Sequence, residues 1–379
     1  MKKSLILVLT LLILFFGAVS LFALEQKLYD SHVHLTNYVQ EGPDMIDFLD
    51  IMDRYGVQRA AVFGIPLQQE WNMHMDESRP LYYLNTDGRL YYYSAVDAFI
   101  ARQYLALSTE QQKRFDPMIC GFKPSDGNAV EHIVNMLQIY PGVFSGIGEF
   151  TVFKEVVSAK TYGKAVTFNE PALDRIFALA GKVGLVVNIH SDIDAMSPDP
   201  SLGGRPRYFD SFLALVKRHP DTTVIWAHTG LGRFVRPSAE HLQLLRMALD
   251  GSPNLNMDIS WSVLAETITS SKESLSSWSA LLSDYPDRFL FGTDAVSPSS
   301  EKYGRELSMY DELWKKLPEK VALKVRWQNH KRIFDKANER VRSWEQKYIR
   351  ELSPEINWPW AAEPAADLLV PVEVGDSCL

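Results

Sequence analysis

From residue 27 onward, short apolar runs alternate with stretches of helical periodicity. The runs fall at 27–35, 57–65, 115–122, 143–150, 184–190, 222–228, 254–259 and 288–294. They are rich in Val, Ile and Phe and are bounded by Gly, Pro, Asn or Asp, which predicts strands. Between most of them the apolar positions recur every three to four residues, which predicts amphipathic helices at 44–55, 129–140, 171–183, 210–217, 239–249 and 274–282. The first of these carries Met45, Phe48, Leu49 and Met52 on one side and stops at Gly56.

Strand alternating with helix predicts a parallel sheet. Eight repeats suit a closed (β/α)8 TIM barrel better than the alternative, an open doubly wound sheet, because polar residues at the strand ends then share one mouth. The domain reading is a barrel over 25–347, preceded by a separate segment at 1–24 and followed by an irregular extension at 348–379 that contains Trp358-Pro359-Trp360. One interval, 66–114, is too long for a plain connection; it reads either as a lid folded around the turn dipeptide Asp87-Gly88 or as a packed surface insertion.

Composition narrows the classes. Of 379 residues 46% are hydrophobic and 23% charged, ordinary for a chain with a sizeable core. A net charge of -8 excludes a global basic field for nucleic acid. Two cysteines, Cys120 and Cys378, do not make a disulfide framework or a cysteine metal site; Cys120 reads as buried. Lys2 and Lys3 precede residues 4–24, which carry no charge. A basic head before an apolar stretch is the pattern of a secretory signal, with cleavage after Ser20 or Ala23; the stretch is also long enough for an uncleaved membrane anchor. Either way the expectation is export, to the periplasm or beyond, with any membrane contact confined to this segment. No P-loop and no GxSxG elbow occurs.

The chemistry sits where strands end. His32-Val33-His34 places two imidazoles on one side of a strand. Neutral imidazoles suit a transition metal, although such a pair alone is weak evidence and is more often a pair of surface or satisfied histidines. The fourth run ends at Glu149, the fifth at His190, the sixth at His228 and the eighth at Asp294. A barrel would gather all of these at the C-terminal rim of its strands, where barrel enzymes keep their sites.

As a set, Asp30-Ser31-His32-Val33-His34, Gly146-Ile147-Gly148-Glu149, the strand ending at His190, Trp226-Ala227-His228, Phe291-Gly292-Thr293-Asp294 and the segment 329–334 (NHKRIF) resemble the amidohydrolase superfamily. More narrowly they resemble the amidohydrolase-related branch that holds the amino-carboxymuconate-semialdehyde-type decarboxylases. The resemblance implies a divalent metal, zinc first among the choices, with one ion preferred and two allowed. Its ligands would be His32, His34, His190 and Asp294, with His228 just outside or on a second ion. Glu149 would bridge a second ion or hold a neighbouring histidine. The implied activity is hydrolysis of an amide, lactone or ester bond in a small molecule by a metal-activated water, with Asp294 as base and His228 assisting at the substrate oxygen. Non-oxidative decarboxylation on the same site is the first alternative, and an inactive envelope binding protein the second.

Lys123, Arg233 and Trp261 are the candidates for contacting substrate, and Asp258 for lining the pocket. Asp30 reads as a structural acceptor and His330 as structural. His74, His132, His219 and His241 read as surface. Oligomeric state is open, with a homo-oligomer allowed.

Overall fold

The computed structural model describes residues 27–37, 40–66, 95–154, 157–158 and 167–352. The N-terminal segment, the Asp87-Gly88 turn, His74, Cys378 and the extension after residue 352 lie outside the described residues. Among those described, no helix is long and apolar enough to cross a membrane.

The strands are β1 (Leu28–His34), β2 (Val57–Phe63), β3 (Phe115–Ile119), β4 (Gly146–Lys154), β5 (Val157–Ser158), β6 (Val186–Ser191), β7 (Val224–Trp226), β8 (Leu255–Asp258), β9 (Phe289–Leu290) and β10 (Ala295–Val296). All pair in parallel around the sheet except β5, which folds back on β4. The helices that pack outside include α1 (Met45–Arg54), α2 (Val96–Leu105), α3 (Ala129–Ile139), α4 (Pro171–Val183), α5 (Phe209–Arg218), α6 (His241–Gly251), α7 (Ser262–Thr269), α8 (Lys272–Asp284), α9 (Ser300–Ser308), α10 (Asp311–Lys316) and α11 (Asn329–Leu352). The fold is a TIM barrel.

Closure depends on the eighth strand position, which is split. β9 pairs with β8 through Met257↔Phe289, and β10 pairs with β1 through Val33↔Ala295. Between them Ser31 N–H donates to Phe291 O at 2.9 Å and Asp294 N–H to His32 O at 2.8 Å. The ladder thus passes from β8 through 289–296 to β1. Gly292 makes this crossing possible, since a Cβ there would stand 2.8 Å from the His32 Cβ.

Two apolar layers hold the barrel. Between strands and helices lies the larger core, including Phe48, Phe115, Phe144, Phe177, Phe212 and Trp226, all buried. Inside, Ala61, Phe63, Met118, Val186, Ile225 and Leu290 pack with Ile333, Phe334 and Ala337 of α11. The closing helix therefore plugs the N-terminal end of the barrel and leaves the other end for polar groups. Cys120 is buried in this inner layer.

The helical reading of the amphipathic stretches agrees with α1, α3, α4, α5, α6 and α8 to within a few residues. β4 starts three residues later than the apolar run and continues to Lys154, because its last turn pairs with both β6 and β5. The long insertion after β2 includes α2, whose Asp97 accepts from the backbone N–H groups of Cys120 and Gly121 and from His132. The closing helix runs to Leu352, beyond the boundary drawn at 347.

Candidate metal centre at the rim

Seven side chains, six of them buried and Asp294 half-buried, meet at the C-terminal rim: His32 and His34 from β1, Glu149 from β4, His190 from β6, His228 after β7, Asp258 from β8 and Asp294 beside β10. Backbone geometry aims several of them. His228, Trp261 and Asp294 have φ of 53°, 79° and 55°, the left-handed region that costs a non-glycine residue energy and clusters at functional sites. Gly148 (φ 117°) lets β4 press against β6; a Cβ there would lie 2.1 Å from Asn188 O.

The nitrogens and oxygens converge closely. His34 Nε2 lies 3.2 Å from Asp294 Oδ1 and 3.4 Å from Glu149 Oε2. His32 Nε2 lies 3.4 Å from Asp294 Oδ1 and 3.7 Å from Glu149 Oε1. His228 Nε2 is 3.3 Å from Glu149 Oε1 and 3.9 Å from Asp294 Oδ2. Two groups are compact enough to hold an ion between them: His32, His34 and Asp294, and His32, Glu149 and His228.

The other ring nitrogens are anchored outward. His32 Nδ1 meets Asp258 Oδ2 at 2.9 Å, and His228 Nδ1 meets Ser260 Oγ at 2.8 Å. Asp258 also accepts from His228 N–H at 2.9 Å and from Ser260 Oγ–H at 2.5 Å. Each ring therefore presents Nε2 inward, and His32 Nε2 and His228 Nε2 are buried with no hydrogen-bond partner. Such a carboxylate behind a ligating imidazole fixes its tautomer and raises its basicity.

His190 is placed differently from the set that the resemblance implies. Its Nδ1 meets Glu149 Oε1 at 2.7 Å and its Nε2 faces Asp192 Oδ1 at 3.4 Å. Both nitrogens thus face carboxylates, and His190 stands beside Glu149 rather than within the His32–His34–Asp294 group.

The electrostatics match a cation site. Burial opposes charge on His32, but Asp258, Asp294 and Glu149 overcome it and push its pKa up to about 9. Burial would raise Glu149 and Asp294, yet the imidazoles, and for Glu149 also Lys154, hold both carboxyls below their usual range. Burial would likewise raise Asp258, and His32 pulls it down. Three buried carboxylates facing imidazoles are expensive unless positive charge joins them. Together with the orphaned Nε2 atoms, this donor set fits a divalent metal.

Residues 157–336 match the Amidohydro_2 (amidohydrolase) family model. That stretch of the chain is similar to the amidohydrolases. No curated protein matches the full sequence. Among solved structures, an uncharacterized TIM-barrel protein from Bordetella bronchiseptica is 12% identical with a TM-score of 0.50, covering 82% of this chain and 99% of that one. A dihydroorotase from Campylobacter jejuni is 13% identical (TM-score 0.47; 82% and 83% covered), and a Burkholderia multivorans amidohydrolase with bound Zn is 11% identical (TM-score 0.48; 81% and 99%).

Around this rim the sequence candidates divide. The Trp261 ring centroid is 5.0 Å from that of His228 and 6.1 Å from that of His190. Arg233 lies over the same indole at 5.9 Å. Lys123 sits in the turn after β3, its carbonyl accepting from Asp126 N–H. Asp30 is a buried acceptor for His32 N–H, Thr293 and Tyr303, and burial raises it to about 6. His330 bonds Asp116 and is structural.

Three corrections stand out. His241 is buried, not surface, and burial lowers it to about 4; its place at i with Leu244, Leu245 and Ala248 on one helical face was the available signal. His132 and His219 are mostly covered and bond Asp97 and Asp174. Lys154, whose Nζ lies 5.4 Å from the Trp261 ring centroid, was not anticipated because the apolar run stops at Phe150.

Proposed function

We propose that the protein is a divalent-cation-dependent hydrolase acting on an amide, lactone or ester bond of a small anionic substrate. The observation that carries this reading is the pair of buried, unpartnered imidazole nitrogens, His32 Nε2 and His228 Nε2, facing the Asp294 and Glu149 carboxylates. His32, His34 and Asp294 would hold one ion, with Glu149 and His228 closing its other side. Glu149 Oε1, between His190 Nδ1 and His228 Nε2, offers the start of a second position. A bound divalent ion, zinc by donor type, supplies Lewis acidity and brings the pKa of a water toward 7.

The chain's own groups do the rest. Asp294 is kept ionised by three histidines and accepts the proton released as the nucleophile attacks. His228, fixed by Ser260 and kept neutral by burial, hydrogen-bonds the oxygen on which charge develops. Lys154 and Arg233 flank Trp261 and draw a substrate carboxylate to the indole beside the histidines. The same pair supports a second reading, non-oxidative decarboxylation as in the amino-carboxymuconate-semialdehyde-type branch. The basic head and apolar segment at 2–24 support export of the folded part.

The test is a chelator-stripped, zinc-reloaded preparation assayed on lactones, esters and amides with and without a carboxylate, alongside carbon dioxide release from matching acids. At least one metal per chain and chelator-sensitive hydrolysis are expected. Occupancy under about a tenth after reloading would overturn the metal reading; carbon dioxide release without hydrolysis would replace hydrolase by decarboxylase.

A further inference from the structure

A cavity of about 910 Å³ opens at the opposite end of the barrel from the histidines. Its walls are the residues just before β6, β7, β8 and β9, together with α4 and the α11 plug. Six basic residues line it: Lys182, Arg218, Arg288, Arg332, Lys336 and Arg340. Two carboxylates also line it: Asp287 is paired with Lys324, and Asp221 forms no ion pair among the described residues; Arg218 is paired with Asp174. Among the described residues no carboxylate forms an ion pair with the other five cations.

The guanidinium groups are nevertheless fixed. Arg288 donates to Leu255 O (2.7 Å) and Ser252 O (2.6 Å), Arg332 to Asp287 O (2.7 Å) and Arg340 to Gly181 O (2.5 Å). Carbonyls hold these groups in place without cancelling their charge. Gly184 leaves room for Arg340, since a Cβ there would stand 2.4 Å from the Arg340 Cβ. Burial and the neighbouring charge of Arg332 both depress the pKa of Arg288, so the positive charge is crowded as well as unpaired. In a chain of net charge -8 such a concentration does not follow from composition.

We propose that this cavity binds a phosphate-bearing anion. Positioned guanidinium forks match phosphate oxygens two at a time, and Lys182 and Lys336 add point charges at the edge. The volume accommodates a ligand larger than a single phosphate. The phosphate belongs either to a soluble metabolite or to a lipid headgroup, and both would meet the same cations. This site is independent of the hydrolase reading and lies outside the rim machinery.

Calorimetric titration of the full chain with inorganic pyrophosphate at low salt, and cosedimentation with phosphatidylglycerol vesicles, separate the two sources. Saturable pyrophosphate binding without vesicle binding assigns a soluble ligand; vesicle binding alone assigns a headgroup. In either arm Lys336→Glu should weaken binding about tenfold, the value of one charge-assisted contact, and Lys336→Arg should preserve it. Lys336 is exposed and unpaired, so its variants should fold, which thermal melting checks. Lys316→Glu, the same charge change outside the cavity, should leave binding intact. Absence of binding in both arms, or equal weakening by Lys336→Glu and Lys316→Glu, overturns the proposal.

Discussion

Two buried clusters of carboxylates and histidines occupy the two ends of this barrel, and they are built to opposite purposes. At the N-terminal end Asp116 receives Arg59 through both guanidinium branches at 2.7 Å, with His330 Nε2 at 2.9 Å and Asn338 at 3.0 Å. Its charge is met by a permanent cation and its oxygens are bonded. At the rim, Glu149 and Asp294 face imidazoles of His32, His34 and His228, and two of those rings point a bare nitrogen at them. A buried carboxylate answered by arginine is complete within the chain. A buried carboxylate answered by imidazole depends on a cation that is not permanent: a proton on the ring, as the raised pKa of His32 shows, or a metal that takes its place.

The sharpest way to break this comparison is to remove one member from each end. His32→Ala should empty the rim of metal and lower turnover by more than the roughly 100-fold that losing an outer partner costs. Asp116→Ala should instead destabilise the fold by about 3 kcal/mol, because the buried His330 and Asn338 lose their acceptor and Arg59 keeps only the more exposed Asp335, while metal per folded molecule stays unchanged. Metal content by atomic emission and urea unfolding of both variants decide it. Metal loss in the folded fraction of Asp116→Ala would erase the distinction.

Acid separates the ends next. Burial would raise Asp116, but Arg59 and His330 bring its pKa down to about 2 from an ordinary 3.8. A depressed carboxyl contributes stability above its unfolded pKa and loses it as pH falls through the folded one. The advantage of the native chain over Asp116→Asn, on the order of 2 kcal/mol at about 1.4 kcal/mol per pKa unit, should therefore be full at pH 6 and shrink between pH 4 and 2. A constant gap across that window in urea titrations would mean that Asp116 is not held by charge.

A smaller effect tests the second layer of the rim. Asp258→Asn keeps the shape but weakens the hold on His32 Nδ1, and metal affinity should fall roughly 10 to 100-fold with the fold intact. Competition with a chromogenic chelator measures it. Unchanged affinity would leave Asp258 as packing alone.

Asp258 also shows where sequence reading stops. The strand-end residues His32, His34, Glu149, His190, His228 and Asp294 are legible because each closes an apolar run, and a barrel makes all such ends neighbours. The barrel itself follows from the alternation. Nothing local, however, announces that Asp258 bonds a ring 226 positions earlier. Nor does spacing reveal which nitrogen of His190 or His228 faces inward, since that depends on Glu149 and Ser260 across the rim. Helices α7, α9 and α10 escaped because they are short, and α9 and α10 are largely polar. The run 288–294 predicts one continuous eighth strand, whereas the break at Gly292 is what turns Asp294 toward the histidines.

Lys154 gives the smallest expected change and bears most directly on substrate. It reaches the Trp261 indole only because β4 continues past Phe150 into the hairpin with β5. It also faces Glu149 and His190 electrostatically, helping to lower Glu149 and opposing the rise that Glu149 and Asp192 impose on His190. Replacing it with Ala removes a charge without removing a metal donor. If Lys154 recruits a substrate carboxylate, Lys154→Ala should raise KM about tenfold for carboxylate-bearing substrates, the value of one charged contact, and leave uncharged esters unaffected. A fall in kcat with KM unchanged would instead mean that Lys154 acts through Glu149, tuning the cluster rather than greeting the substrate. That split would move the boundary between the two ends of the barrel: the rim would then contain a permanent cation of its own, as the base does in Arg59.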